Sequence, residues 1–228
     1  MERLLVLLAL LCAGHAVHQD LSENVFTFPL ESPTSSVKLT SSGVQSIIAM
    51  TVCMRYFSSV TRAQSLFSLA VPSESNAFLL FKPSVNVYRL HVQGTALDIS
   101  GLPHDTDDWN SVCWTWESQH GLTTLWVSGK RSARKILRNK AIITGAPSIV
   151  LGQDQDTYGG GFDQNQSFVG DLTDVHLWDS VISPCQIRFF MEGSAFNPGN
   201  LVNWNDLQYS ITGSVHVEKS DFDKVTCY

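Results

Sequence analysis

Residues 112–117 read Val-Cys-Trp-Thr-Trp-Glu. Successive side chains of a strand point to opposite faces, so Val112, Trp114 and Trp116 share one side while Cys113, Thr115 and Glu117 share the other. The same kind of short alternating segment recurs at 25–28, 37–40, 47–56, 66–71, 78–81, 85–92, 122–127, 149–151 and 168–178. Turn residues part them, among them Ser32-Pro33, Pro72-Ser73, Gly94-Thr95, Pro103-His104, Gly121 and Ser128-Gly129. Many short strands punctuated this way predict an all-β fold, an antiparallel β-sandwich or jelly roll.

One helix interrupts the strands. Ser183-Pro184-Cys185-Gln186 offers an N-cap serine, proline at the first helical position and glutamine at the third, a capping box. Ile187, Phe190 and Met191 then recur at helical spacing and Gly193 ends the run. A lone helix in a sandwich must lie across a sheet face to bury that stripe.

The 228 residues suffice for one domain with a covered core, and 43% hydrophobic against 16% charged residues is an ordinary globular balance. A net charge of -6 argues against nucleic acid as partner, since phosphate binding needs a basic face. Residues 1–16 have the form of a secretory signal: Arg3, an apolar core from Leu4 to Cys12, then Gly14 and Ala16 at the small-residue positions. That run is too short to span a bilayer. A secreted chain, with the mature domain at 17–228, is therefore expected.

In that compartment Cys53, Cys113, Cys185 and Cys227 meet oxidising conditions. Thr51, Cys53 and Arg55 share a face by the parity that groups Cys113 with Thr115. A Cys53–Cys113 bridge would close a loop of about 60 residues, worth roughly 4 kcal/mol in the chain-entropy model. Cys185 and Cys227 are then left to pair with each other or with another subunit.

Residues 151–171, L-G-Q-D-Q-D-T-Y-G-G-G-F-D-Q-N-Q-S-F-V-G-D, carry the chemistry. Asp154, Asp156 and Asp163 stand among the amides of Gln155, Asn165 and Gln166, with three glycines as a hinge. Hard oxygen donors without His or Cys suit Ca2+, which accepts 6–8 oxygens in forgiving geometry. The same composition also suits a solvated acidic turn. An EF-hand is excluded: counted from Asp154, the fifth position is Tyr158 and the twelfth Asn165.

Together these segments resemble the pentraxin family. Cys113, Thr115, Trp116 and Ser118 fit its signature, although Ser111 stands where the family has histidine; the 152–170 loop, Thr51-Val52-Cys53, Phe67-Ser68, Trp178-Asp179 and residues 201–204 match in order. The resemblance implies a two-sheet antiparallel jelly-roll sandwich, assembled as a cyclic pentamer with two Ca2+ per subunit on one face and the helix on the other. It implies Asn76, Asp154, the carbonyl of Gln155 and Asp156 around the first ion, with Asp154 and Asp156 bridging to a second that Asp163 and Gln166 complete. Ser75 replaces an acid usual in the family, and Asp154 and Asp163 replace common glutamates.

The implied function is calcium-dependent pattern recognition in innate immunity, with phosphocholine, phosphoethanolamine or an acidic glycan as ligand and complement or Fc-receptor effectors as partners. Phe81 and His91 fall on walls of the family's choline pocket, while Ala96 occupies the place of its acid. Met191 stands near a tyrosine that contributes to complement contact in the family. Not an enzyme is the expectation: no carboxylate pair has the look of acid and nucleophile, and no G-x-S-x-G elbow occurs. The rival readings are a laminin-G-like adhesion module and, behind it, a jelly-roll glycosidase.

The basic run from Lys130 to Lys140 suits a solvated edge or subunit contact, with glycosaminoglycan binding as the remainder. Tryptophans 109, 114, 116, 126, 178 and 204 are expected in the core. Asn165-Gln166-Ser167 is a glycosylation sequon expected to stay unused, because a glycan there crowds the loop.

Overall fold

The computed structural model describes residues 18–220 apart from 42, 44, 45 and 107. The signal segment expected at 1–16 and the expected role of Cys227 lie outside the described residues. The strands are β1 (Asn24–Phe28), β2 (Ser36–Leu39), β3 (Ser46–Ile47), β4 (Ala49–Phe57), β5 (Gln64–Val71), β6 (Glu74–Ser84), β7 (Val87–Val92), β8 (Thr95–Ser100) and β9 (Asn110–Glu117). They continue as β10 (Leu122–Val127), β11 (Lys130–Arg131), β12 (Lys135–Ile136), β13 (Ile143–Thr144), β14 (Ser148–Leu151), β15 (Gly170–Trp178), β16 (Tyr209–Thr212) and β17 (His216–Lys219), with α1 (Pro184–Met191) between the last long strand and the tail.

Every pairing is antiparallel. One main sheet runs β11-β10-β9-β4-β15-β1-β17, with β12 also on β10; the second runs β16-β2-β14-β5-β6-β7-β8, and β13 pairs with β3 in a small two-stranded sheet. The expected jelly-roll sandwich is what forms. Alternation decides its interior: Val112, Trp114 and Trp116 are fully buried in the main core with Met50, Val52 and Met54 of β4. Trp114 stacks on Phe78 of the opposite sheet at 3.6 Å between ring centroids. Its indole N–H donates to Thr123 Oγ1 at 2.6 Å, and that of Trp116 to the Leu137 carbonyl at 2.8 Å, so neither leaves a buried donor unmet. Trp109 and Trp126 are only half-buried, a departure from the expected core position.

The residues of odd parity on the first sheet face α1. Cys53 lies directly opposite Cys113 and is bonded to it. With Trp178, Ile187 and Phe190 this pair forms a second, smaller apolar cluster beneath the helix. Burying Ile187 and Phe190 there stabilises the docking by about 1.5–3 kcal/mol each. The helix begins as its sequence predicts on one side only. Ser183 Oγ accepts from the Gln186 amide at 3.3 Å, but the Gln186 side chain accepts from the Asn197 amide at 2.9 Å instead of reaching back. The capping box is therefore half formed, its glutamine spent on anchoring the chain beyond the helix.

Beneath α1 lies a polar network that sequence reading missed. Buried Arg55 donates Nε–H to Asp174 at 3.0 Å and Nη2–H to the Phe190 carbonyl, and its guanidinium sits 4.7 Å from the Phe190 ring centroid. His176, fully buried, accepts the Gly199 amide on Nδ1 and so donates from Nε2 to Asp174 at 3.2 Å. Asp174 sits on a bulge of β15 with φ 55. Burial raises its carboxyl pKa, yet the His176 and Arg55 contacts outweigh that and hold it low.

Candidate metal centre and ligand face

The 152–168 loop leaves the end of β14 through Gly152, at φ 82, where an added Cβ meets the Phe28 ring at 2.3 Å. No other residue fits that corner. The loop is closed at its base by the Phe168 amide on the Gly152 carbonyl at 2.9 Å. Inside it two fully buried glutamines act as pins. Gln153 Nε2 donates to the carbonyls of Ser32 and Ser35, both at 2.8 Å. Gln155 Nε2 donates to Ser68 and to the Ser148 carbonyl, and its Oε1 accepts from Gly159. With its side chain spent on the sheet, Gln155 has its backbone carbonyl to offer an ion.

The tip is a tight turn in which Thr157 and Gly160 exchange backbone hydrogen bonds. Asp163 then caps a single 3-10 turn, Gln164–Gln166, accepting from both nitrogens of Asn165 at 2.9 Å. That turn packs against β5, the strand that leads into the β6 segment holding Asn76.

Five oxygens in this region are buried and have no hydrogen-bond partner: Asn76 Oδ1, Ser148 Oγ, Gln153 Oε1, Asp154 Oδ1 and Gln166 Oε1. Three of them, on Asn76, Asp154 and Gln166, belong to residues named above as calcium ligands, two on the loop and one on β6. An unmet buried acceptor costs about 1–3 kcal/mol, so three in one region is the pattern a cation would relieve. The residues present fit calcium in their donor types. Carboxylates do not cluster in the same way: among the described residues no three His, Cys, Asp or Glu side chains gather as a metal-holding group. Asp156 is exposed and Asp163 is turned to its cap. Buried Asp154 has its pKa pushed up to about 6, by desolvation first and by the nearby charge of Asp156 second.

Glu74 is committed elsewhere. Its Oε1 accepts the Asn76 amide at 3.0 Å and its carboxylate packs against the Gly94 turn, so it does not stand in for the missing acid at Ser75.

Beside the loop, the outer face of β6, β7 and β8 carries the two remaining predicted residues. Phe81 lies opposite Arg89, which lies opposite Asp98; one row nearer the loop, Leu79 lies opposite His91 and His91 opposite exposed Ala96. Phe81 is only 8% exposed, and His91 is half-buried with Nδ1 unpartnered. Burial pushes the His91 pKa down, and the charge of Arg89 adds to this. Sequence reading missed Arg89 and Asp98. They form a two-point ion pair, Nε to Oδ1 at 2.6 Å and Nη2 to Oδ2 at 2.8 Å. Two residues nine apart on adjacent strands give no local signal beyond the alternation itself.

A family model described as the pentaxin family matches residues 24–219. The chain is a pentaxin. It is 40% identical over 220 residues to the C-reactive protein of Sus scrofa, covering 96% of this chain and 98% of that one. It is 39% identical over 204 residues to the serum amyloid P-component of Mus musculus, covering 90% of each. Among solved structures, the native heptameric SAP-like pentraxin of Limulus polyphemus superimposes with a TM-score of 0.81 at 22% identity, covering 89% of this pentaxin and 98% of that chain. The last likeness is one of fold.

Proposed function

We propose that this pentaxin is a secreted, calcium-dependent recognition protein that binds phosphoryl or acidic-sugar groups on surfaces, in innate immunity. The observation carrying the reading is the trio of unmet buried oxygens on Asn76, Asp154 and Gln166. Asp154, the Gln155 carbonyl, Asp156 and Asn76 are assigned to one ion, and the bridging aspartates with Asp163 and Gln166 to a second. Calcium bound there supplies open coordination positions for anionic ligand oxygens. Gln153 and Gln155 hold the loop backbone in place, and the Asp156 and Asp163 carboxylates would be among the groups holding the ions.

A single small contact of this kind is weak. Several copies on one face of a ring gain ~10²–10⁴-fold on a surface bearing many ligands. Five subunits are proposed; the Limulus neighbour is heptameric, so the mass of the assembly in solution is the measurement that counts them. The face bearing α1 and Met191 is left for complement or Fc-receptor effectors.

The test is retention on phosphocholine, phosphoethanolamine and acidic-glycan resins with calcium or with EDTA. Retention with calcium and release by EDTA on at least one resin supports the reading, and EDTA-insensitive behaviour on all of them overturns it. Asp156→Ala should abolish the retained fraction with little change in melting temperature, because Asp156 is exposed and outside the core.

A further inference from the structure

The 152–168 loop is braced at both ends by one short segment between β1 and β2. At the entrance, Gln153 donates to the carbonyls of Ser32 and Ser35. At the exit, Ser167 Oγ accepts the Ser32 amide at 3.3 Å. Glu31, the next residue back, reaches the exit through a charge: its Oε1 accepts from Arg62 Nε at 2.7 Å. Arg62 stands in the turn just before β5 and is not among the assigned calcium ligands.

The other edge of this guanidinium is spent on the loop. Arg62 Nη1 donates to the Ser167 carbonyl at 2.7 Å and to the Ala63 carbonyl at 2.6 Å, and lies 3.4 Å from the Asn165 carbonyl. The 3-10 turn closes its own bonds on the carbonyls of Asp163 and Gln164, so Arg62 holds carbonyls that the turn itself does not use. Asn165 and Ser167 flank Gln166, whose Oε1 is buried and unmet. With the backbone fixed on both sides, only the rotamers of Gln166 are left to aim that oxygen.

Stability of the metal-free chain does not account for this arrangement. Arg62 Nη2 is itself buried without a partner, and an orphaned donor on a charged group is costly. The partly exposed pair with Glu31 offsets little of that. A guanidinium close to a cation site also repels the ion unless a carboxylate neutralises it, and Glu31 is that carboxylate.

We propose that Arg62, neutralised by Glu31, is a positioning residue for the second calcium ion, the one assigned to Asp163 and Gln166 with the bridging aspartates; this inference rests on the proposed calcium reading. The two halves of the site then have separate supports. Gln155 pins the first half to β5 and β14, and Arg62 fixes the turn that carries the second. Lysine cannot replace it, because one ammonium does not present two edges to Glu31 and the loop carbonyls as a planar guanidinium does.

The experiment is calcium titration calorimetry on the full chain, with bound ions counted by equilibrium dialysis and melting temperatures taken in EDTA. The parent is compared with Arg62→Gln, Arg62→Lys, Glu31→Gln and the Glu31→Gln/Arg62→Gln double variant. Arg62→Gln should weaken one ion by about 10–100-fold and leave the other in place, with melting in EDTA close to the parent's. Arg62→Lys should not restore the weakened ion. Glu31→Gln should weaken that same ion, and more at low salt than at high, because the uncovered charge of Arg62 is screened by salt. The double variant should be no weaker than Arg62→Gln alone. Unchanged calcium affinity in Arg62→Gln overturns the proposal, as does equal weakening of both ions or full rescue by lysine. A parent that takes up no calcium sinks the calcium reading itself, so the two failures are separable.

Discussion

Gln155 Nε2 lies 3.1 Å from both the hydroxyl and the carbonyl oxygen of Ser68, so the middle of the metal loop is bolted to a central strand. The loop is thus prepared before any ion arrives. Gln155→Ala removes four contacts that hold the loop to β5 and β14, at a cost of about 1–3 kcal/mol. The expected outcome is a lower melting temperature together with a calcium affinity reduced at least tenfold, read by calorimetric titration. A variant with unchanged calcium affinity would show that the pin is not needed to shape the site.

Asp154 makes the metal-free protein sensitive to mild pH. Its carboxyl pKa rises from 3.8 in the unfolded chain to about 6 in the fold, so between those values the native state holds the extra proton and stability falls as pH rises. The full effect above pH 6 is about 3 kcal/mol. Calcium favours the ionised form, so its affinity should climb through the same window. Denaturant titrations from pH 4 to 7 in EDTA should show the decline; Asp154→Asn should flatten it, and added calcium should oppose it. A pH-independent parent in EDTA would refute the burial argument.

Lys82 sits on the inner side of β6, 3% exposed, with its amine 3.1 Å from Tyr56 Oη and 2.8 Å from the Val85 carbonyl, and burial lowers its pKa to about 8. The unfolded chain holds this proton up to about pH 10.5 while the fold releases it near 8, so this group makes stability rise with pH between those values. Lys82→Met keeps the volume and removes the buried charge. It should be neutral or stabilising near pH 7 and should abolish that rise, measured by urea midpoints from pH 7 to 10.

Under the helix, Asp174→Asn isolates the charge. Asparagine tolerates the positive φ of the bulge as aspartate does, so the backbone need not move. What changes is that the buried Arg55–Asp174 ion pair is lost, which should cost roughly 3–5 kcal/mol. Calcium-dependent retention should survive in the folded fraction, because the network packs under α1 whereas the metal loop is pinned to β5 of the other sheet. Unaltered stability would show that the remaining contacts of Arg55, among them its hydrogen bonds to Ser111 Oγ and to the Phe190 carbonyl, suffice.

Much of this pentaxin was legible in one dimension. Alternation at 112–117 assigns the buried tryptophans and the paired cysteines to opposite faces, because strand parity is a local property. The oxygen-rich composition of 152–168 names the donor types for the same reason. Strands β8, β16 and β17 were not recognised: β8 carries exposed polar positions on its outer face, and the last two are almost wholly exposed, so they lack the apolar rhythm.

The residue pattern alone determined a two-sheet sandwich, a helix with a serine cap and a loop able to hold a hard cation, since each depends on neighbours along the chain. Only the tertiary structure decided that Arg89 meets Asp98, that Arg55 and His176 converge on Asp174, and that the oxygens of Asn76, Asp154 and Gln166 are buried without partners. Those relations depend on strand register and on which segments the sheets bring together, and backbone pairing within each sheet with side-chain packing between them settles both.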